Sequence, residues 1–359
     1  MARARILIAL CGALAVAPVR GASPAELPAS ALRAAAGKPA APMRWGPYKD
    51  ASVQLAADSA RLQVRVGGRV TPLVAPSGSP EAHARLLAPG ATLTLAFATG
   101  ECGKETMAGM PGAALAQANV PLLEAAGIDF IVSTGGETGK FACASAQGME
   151  DFLTHYRSAR LVGIDFDIES ERTASELAVL MRQIATAQAR HPDLRWSFTV
   201  PTFAGNDAAH AGLNALAAAV LAAARSNGVH DFIVNLMAMD YGAASSAVCV
   251  SIDHTCDMAR SAVQAADNLH AQFGVPYARI ELTAMLGKND TAGSVTRLQD
   301  IRAIALYVRR QGLAGLHYWS IDRDNPCTDI APRSDCSGMP YAPLAYMRAI
   351  EASLRAAPH

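Results

Sequence analysis

The chain holds little charge and no excess of either sign: 17% of its 359 residues are charged, with 31 Lys and Arg against 31 Asp and Glu. Such neutrality gives no electrostatic basis for binding nucleic acid or an anionic membrane surface, so neither partner is expected. No two Cys are separated by just two residues, which removes the usual zinc signature, and no metal or other cofactor is expected. His155, His191 and His317 are scattered and receive no role. Internal repeats are missing, and no shift in composition marks a second domain. What is there is apolar: 51% hydrophobic residues, ample for one large core, so a single barrel-sized domain fits the length better than two small ones.

The one conspicuous apolar run lies at the start. Arg3 and Arg5 precede Ile6 to Ala17, and small residues follow around Gly21, Ala22 and Ser23. This run is too short to span a bilayer comfortably. Residues 1–22 read as a cleaved secretory signal and residues 23–42 as an Ala/Pro-rich linker, so a secreted or periplasmic protein with no membrane attachment is expected. Cleavage removes Cys11 and leaves Cys102, Cys143, Cys249, Cys256, Cys327 and Cys336. An even number in an exported protein favours disulfides, and pairing of neighbours gives Cys102 to Cys143, Cys249 to Cys256 and Cys327 to Cys336.

Apolar strand segments recur near 43–48, 93–99, 128–134, 161–169, 195–200, 232–239, 279–285 and 313–320. Ala-rich segments with helical spacing separate most of them, among them 175–190, 208–225, 257–273 and 295–311. Eight such repeats predict an α/β fold, a (β/α)8 TIM barrel in one domain over residues 43–355. The first connection is irregular: Leu62 to Thr71 reads as a hairpin around Gly67 and Gly68. In such a barrel, functional residues gather where strands end. Glu169, the Gly135–Gly136 pair, the run from Met237 to Tyr241, and Trp319 all fall there, and all six cysteines fall in the loops that follow strands.

The fourth of these segments, Leu161 to Ser170, sets Asp165, Asp167 and Glu169 at alternate positions of an apolar run. Alternate residues share one face of a strand, so three carboxylates crowd together where Leu161, Val162, Ile164, Phe166 and Ile168 demand burial. Lost hydration and mutual repulsion raise at least one pKa, which suits a general acid near neutral pH. An exposed edge strand is the plain alternative, but the apolar residues between the acids read as a strand covered on its other face too. A divalent cation site needs more ligands than one strand supplies.

Together these residues resemble glycoside hydrolase family 18, the chitinase family. Its signature Asp-Gly-x-Asp-x-Asp-x-Glu is matched by Gly163-Ile-Asp165-Phe-Asp167-Ile-Glu169, with Val162 in place of the first Asp. Its Ser-x-Gly-Gly is matched by Ser133-Thr-Gly135-Gly136, and its strand-six Met-x-Tyr-Asp by Met237-Ala-Met239-Asp240 with Tyr241 following, Met239 standing where the family usually has Tyr. Trp319 matches the family's strand-eight Trp. The resemblance implies substrate-assisted hydrolysis with retention, which departs from the paired-carboxylate scheme. Glu169 is then the general acid and base, Asp167 orients the substrate's 2-acetamido group, and Asp165 shares a proton with Asp167. Asp240, Tyr241, Trp319, Met237, Met239, Gly135 and Gly136 are the implied substrate-binding residues.

A monomeric chitinase cutting within chains of N-acetylglucosamine is therefore the expected activity, with chitin or its oligosaccharides as partner. An endo-β-N-acetylglucosaminidase or lysozyme would use the same residues. A chitin-binding lectin on an inactive barrel is the alternative of another class, and such lectins usually lose the acid that Glu169 supplies. A metal-dependent phosphodiesterase would need His and Glu ligands at other strand ends, which the sequence does not offer.

Overall fold

The computed structural model describes residues 42–56, 58–75, 86–206, 212–329 and 331–356. The expected signal segment and all but the last residue of the expected linker lie outside them. Eight parallel strands close into a barrel: β1 (Arg44–Asp50), β2 (Leu93–Ala98), β3 (Phe130–Gly135), β4 (Leu161–Asp167), β5 (Arg195–Pro201), β6 (Ile233–Ala238), β7 (Ile280–Met285) and β8 (Gly315–Trp319). Each strand pairs with its neighbours in sequence, and β8 pairs with β1. The helices are α1 (Gly112–Ala125), α2 (Ala146–His155), α3 (Ala174–Arg190), α4 (Ala215–Ser226), α5 (Met258–Phe273), α6 (Leu298–Gln311) and α7 (Ala345–Arg355). The expected TIM barrel is thus the observed fold. Among the described residues, no helix is long and apolar enough to cross a membrane.

Alternation along the strands builds two unlike surfaces. On β4, Ile164 and Phe166 point outward; Phe166 stacks on Trp196 at 6.2 Å and meets Phe198 at 5.8 Å and Phe141 at 6.1 Å. Phe141 in turn packs on Phe152 of α2 at 5.0 Å. The intervening Asp165 and Asp167 point into the barrel, whose interior is largely polar. Truncating Phe166, fully buried, removes the hub of this layer at a cost of about 3–5 kcal/mol. Lower in the barrel Glu281 of β7 forms an ion pair with Arg195 of β5 and lies 3.5 Å from His317 of β8. Gly315 makes room for it, since a Cβ there would sit 2.2 Å from the Glu281 carboxylate.

The first connection carries the expected hairpin, Gln63–Val66 against Arg69–Pro72, with Gly67 and Gly68 both at positive φ as a type I′ turn requires. No helix separates β1 from β2 among the described residues. Two helix starts differ from expectation. The β-branched Val295 and Thr296 pair with Gly287–Lys288 instead of opening α6, which begins at Leu298. The helix expected from 208 begins at Ala215, because Asn214 caps it by accepting the Ala217 N–H at 2.8 Å; residues 207–211 lie outside the described residues.

All three expected disulfides are present: Cys102–Cys143, Cys249–Cys256 and Cys327–Cys336. They fall in the connections after β2 and β3, after β6, and after β8. The segment after β8 is also held by a buried Lys49–Asp322 ion pair at 2.8 Å and by Asp324, which accepts the Tyr346 and Met347 N–H groups at the start of α7.

Candidate active site

The register of β4 decides which groups surround its acids. Asp165 lies level with Ser133 of β3 and Ser197 of β5, and Asp167 lies level with Gly135 and Thr199. The Asp165 carboxylate accepts hydrogen bonds from Ser133 Oγ (2.7 Å), Ser197 Oγ (2.6 Å), Thr199 Oγ1 (2.8 and 2.9 Å) and Tyr48 Oη (3.1 Å), the last reaching across from β1. Burial raises its pKa and these four hydroxyls oppose the rise. Asp165 therefore takes its hydrogen bonds from hydroxyls and none from Asp167.

Asp167 is buried and its Oδ1 has no hydrogen-bond partner. Burial, then the charges of Glu169 and Asp165, raise its pKa well above the usual carboxylate range. Glu169 stands two residues beyond Asp167, past the strand end and half-buried. Burial raises it to about 7, with Glu137 and Asp240 adding to the rise. The strand thus grades its acids by depth, and the outermost titrates where a general acid must.

Asp167 and Glu169 open into a cavity of about 420 Å³ at the C-terminal ends of the strands. Its floor is aromatic: Phe97, just inside the end of β2, stacks on Trp319 at the end of β8 with centroids 5.4 Å apart and planes at 19°, and Tyr48 lies 5.9 Å from Trp319. Asp240 closes one side. Its backbone is left-handed (φ 45°), and its carboxylate accepts the Thr291 N–H at 2.7 Å. Burial raises its pKa, with Asp290 adding to the rise and Thr291 and Arg323 opposing it. Met237, Met239 and Met285 supply apolar wall. An aromatic floor, apolar walls and a few carboxyl groups suit a neutral ring bearing hydroxyl and amide groups.

Of the residues marked from sequence, Asp167, Glu169, Met237, Met239, Asp240 and Trp319 line this cavity, and Asp165 lies behind Asp167. Three residues expected to touch substrate lie outside the cavity lining. Tyr241 is buried and lies outside the cavity lining, past the end of β6 and the left-handed Asp240. Gly135 is small because a Cβ would sit 2.1 Å from the Asp167 carbonyl oxygen, and Gly136 because a Cβ would sit 2.7 Å from the Phe97 ring. Both glycines let neighbours close in without touching the cavity. Sequence reasoning missed Tyr48, Phe97, Glu137, Thr199, Thr283, Met285, Asp290 and Thr291, which complete the lining. Tyr48, Phe97, Thr199, Thr283 and Met285 lie on barrel strands, Glu137 just past β3, and Asp290 and Thr291 in the connection after β7.

No family model matches the chain. In sequence it is 28% identical over 235 residues to a probable bifunctional chitinase/lysozyme of Escherichia coli K12, which covers 59% of this chain and 25% of that protein. It is 29% identical over 228 residues to endochitinase 11 of Metarhizium anisopliae, covering 58% and 42%. The chain therefore matches less than half the length of these curated relatives. In structure it resembles the catalytic domain of a hyperthermophilic chitinase from Pyrococcus furiosus, with TM-score 0.64, 21% identity, and coverage of 89% of this chain and 98% of that one. Active-domain-2 mutants of a Pyrococcus furiosus chitinase, solved with chito-oligosaccharides, give TM-score 0.65, 21% identity, and coverage of 88% and 96%. The class defined by fold and site is a (β/α)8 barrel with an acidic, aromatic-floored cavity at its C-terminal face. The particular proteins similar to it are chitinases, which are glycoside hydrolases.

Proposed function

We propose that this protein is a secreted glycoside hydrolase of the family 18 type that cleaves β-1,4 bonds within chains of N-acetylglucosamine. The observation that carries the reading is the Asp167–Glu169 pair facing the Phe97–Trp319 floor, one carboxyl deeply buried and the next titrating at about 7. The names of the two chitinase relatives support the substrate class, and the three disulfides support an exported location.

In this mechanism a sugar ring stacks on Trp319 and its 2-acetamido group turns toward Asp167. Glu169 gives its proton to the glycosidic oxygen as the bond to the anomeric carbon breaks. The acetamido oxygen forms the new bond to the anomeric carbon from the face opposite the departing glycosidic oxygen, yielding a cyclic oxazolinium. Asp167 hydrogen-bonds the acetamido N–H and offsets the developing positive charge. Glu169, now a carboxylate, removes a proton from water, whose oxygen opens the oxazolinium. The two displacements together retain configuration. One strand can carry this chemistry because the substrate supplies the nucleophile.

The test is incubation of the mature protein with N-acetylglucosamine oligomers of several lengths, with product anomers read by NMR, together with inhibition by a thiazoline mimic of the oxazolinium. Expected are shorter oligomers formed with retained configuration, and thiazoline inhibition far stronger than by N-acetylglucosamine. Tight oligomer binding with no hydrolysis at any pH overturns the enzyme in favour of a lectin. Hydrolysis with inversion overturns the mechanism.

A further inference from the structure

Beneath Asp165 lies a second polar residue that the mechanism above does not use. Asn235 of β6 is buried beside Thr199 of β5. Its Nδ2 group donates to Tyr48 Oη at 3.0 Å and to Thr199 Oγ1 at 2.8 Å, and its Oδ1 accepts from Thr283 Oγ1 at 2.9 Å.

We propose that Asn235 is a positioning residue that drives the hydroxyl protons of Tyr48 and Thr199 onto Asp165 and so holds the carboxylate behind Asp167 anionic. The argument is one of counting. A hydroxyl carries one proton. Each of these two oxygens accepts one N–H from Asn235, so its own proton is free to point only at Asp165 or at the other hydroxyl, 3.2 Å away. Asp165 lies within reach of both, and Ser133 and Ser197 supply two further donors from the sides. Were the amide reversed, its oxygen would draw both protons away from a buried carboxylate and leave it short of donors. Thr283 supports the observed orientation by donating to the amide oxygen. Every group around Asp165 is thus polarised in one direction, from Thr283 through Asn235 to the carboxylate.

The charged and titratable groups facing this network are few. Tyr48 comes from β1 and Asp167 from β4 itself, while β3 and β5 bring the hydroxyls of Ser133, Ser197 and Thr199 at this level. Glu281 of β7 is met by Arg195 and His317. Of the two carboxylates whose charge bears on Asp167, Glu169 and Asp165, the buried one is Asp165, and Asn235 governs it at one remove.

The inference rests on the proposed function, and the experiment separates the two. Asn235→Leu keeps the volume and removes the donors. Expected are a fall in kcat on N-acetylglucosamine oligomers of at least about tenfold with KM changed less than about twofold, marking a loss specific to the transition state. The acidic limb of the kcat profile should move to higher pH, because a carboxylate deprived of hydrogen bonds takes up a proton more readily. Thr283→Val, which frees the amide to turn, should shift the limb in the same direction by less, and decides the matter if Asn235→Leu does not fold. A native pH profile in a folded Asn235→Leu, or in Thr283→Val if that variant stands alone, overturns the proposal. An infrared titration gives a second readout: the carbonyl band of a protonated carboxyl, assigned by its loss in Asp165→Asn, should be absent from the native protein at neutral pH and appear at higher pH in Asn235→Leu than in native. A protonated Asp165 in the native protein at neutral pH also overturns it. If the native protein hydrolyses no oligomer, the proposed function fails, while the infrared titration still reads Asp165.

Discussion

Glu169 and Asp165 are four residues apart, yet one reaches solvent and the other is sealed behind the strand wall. That difference in depth makes a single strand serve two electrostatic roles. Replacing Glu169 with Gln keeps the shape and removes the acid, so kcat on chitin oligomers should fall at least about a hundredfold while oligomer binding survives; steady-state kinetics and calorimetry check both halves. The pH dependence follows from the raised pKa. Glu169 must be protonated to act as acid, so kcat/KM should be full below about pH 7 and decline as pH rises through it. Burial is the main cause of that rise, with Glu137 next, so Glu137→Gln should move the basic limb to lower pH. A limb that stays in place would show that the exposed Glu137 is screened by solvent. The three acids were legible in the sequence because they alternate on one strand. Their partners were not, because Tyr48, Ser197 and Asn235 come from three other strands and no local pattern names them.

At the scale of elements, the strands were legible because each is a short apolar run, and the barrel followed from their number and spacing. Connections were read less fully. The bend of the chain after β7 brings Asp290 and Thr291 to the cavity, and nothing in their neighbourhood marks this before the fold is known. The cysteines were the exception, since pairing of neighbours named all three bridges. Those bridges differ in what they restrain: Cys102–Cys143 spans 41 residues, whereas Cys249–Cys256 spans 7 and Cys327–Cys336 spans 9. On the chain-entropy model, replacing both cysteines of the long bridge by Ala should cost about 4 kcal/mol, and either short bridge about 2.5 kcal/mol. Urea unfolding of the three double variants gives the ranking; a short bridge that proves the costliest would mean native-state contacts dominate over loop closure.

For the molecule as a whole, the polar barrel interior has to be neutralised along its length. At the lower level this falls to Glu281 with Arg195 and His317. Burial alone would raise Glu281, but the Arg195 and His317 charges outweigh it and hold the carboxyl at about 2, below its ordinary 4.5. A depressed carboxyl contributes stability above its unfolded pKa and loses it as pH falls through the folded one. This contribution should be fully present above about pH 4.5 and disappear toward pH 2. Glu281→Gln leaves Arg195 buried without its counter-ion and should cost about 3–5 kcal/mol at neutral pH, with a flatter stability curve across the acid range; urea midpoints measured from neutral to acid pH check both.

The three bridges also bear on how the protein meets a protease. A single cut between Cys102 and Cys143, between Cys249 and Cys256, or between Cys327 and Cys336 leaves both fragments joined through sulfur. A molecule nicked in these loops stays one covalent body, runs as a single band on an unreduced gel, and reveals its history only when the bridges are reduced.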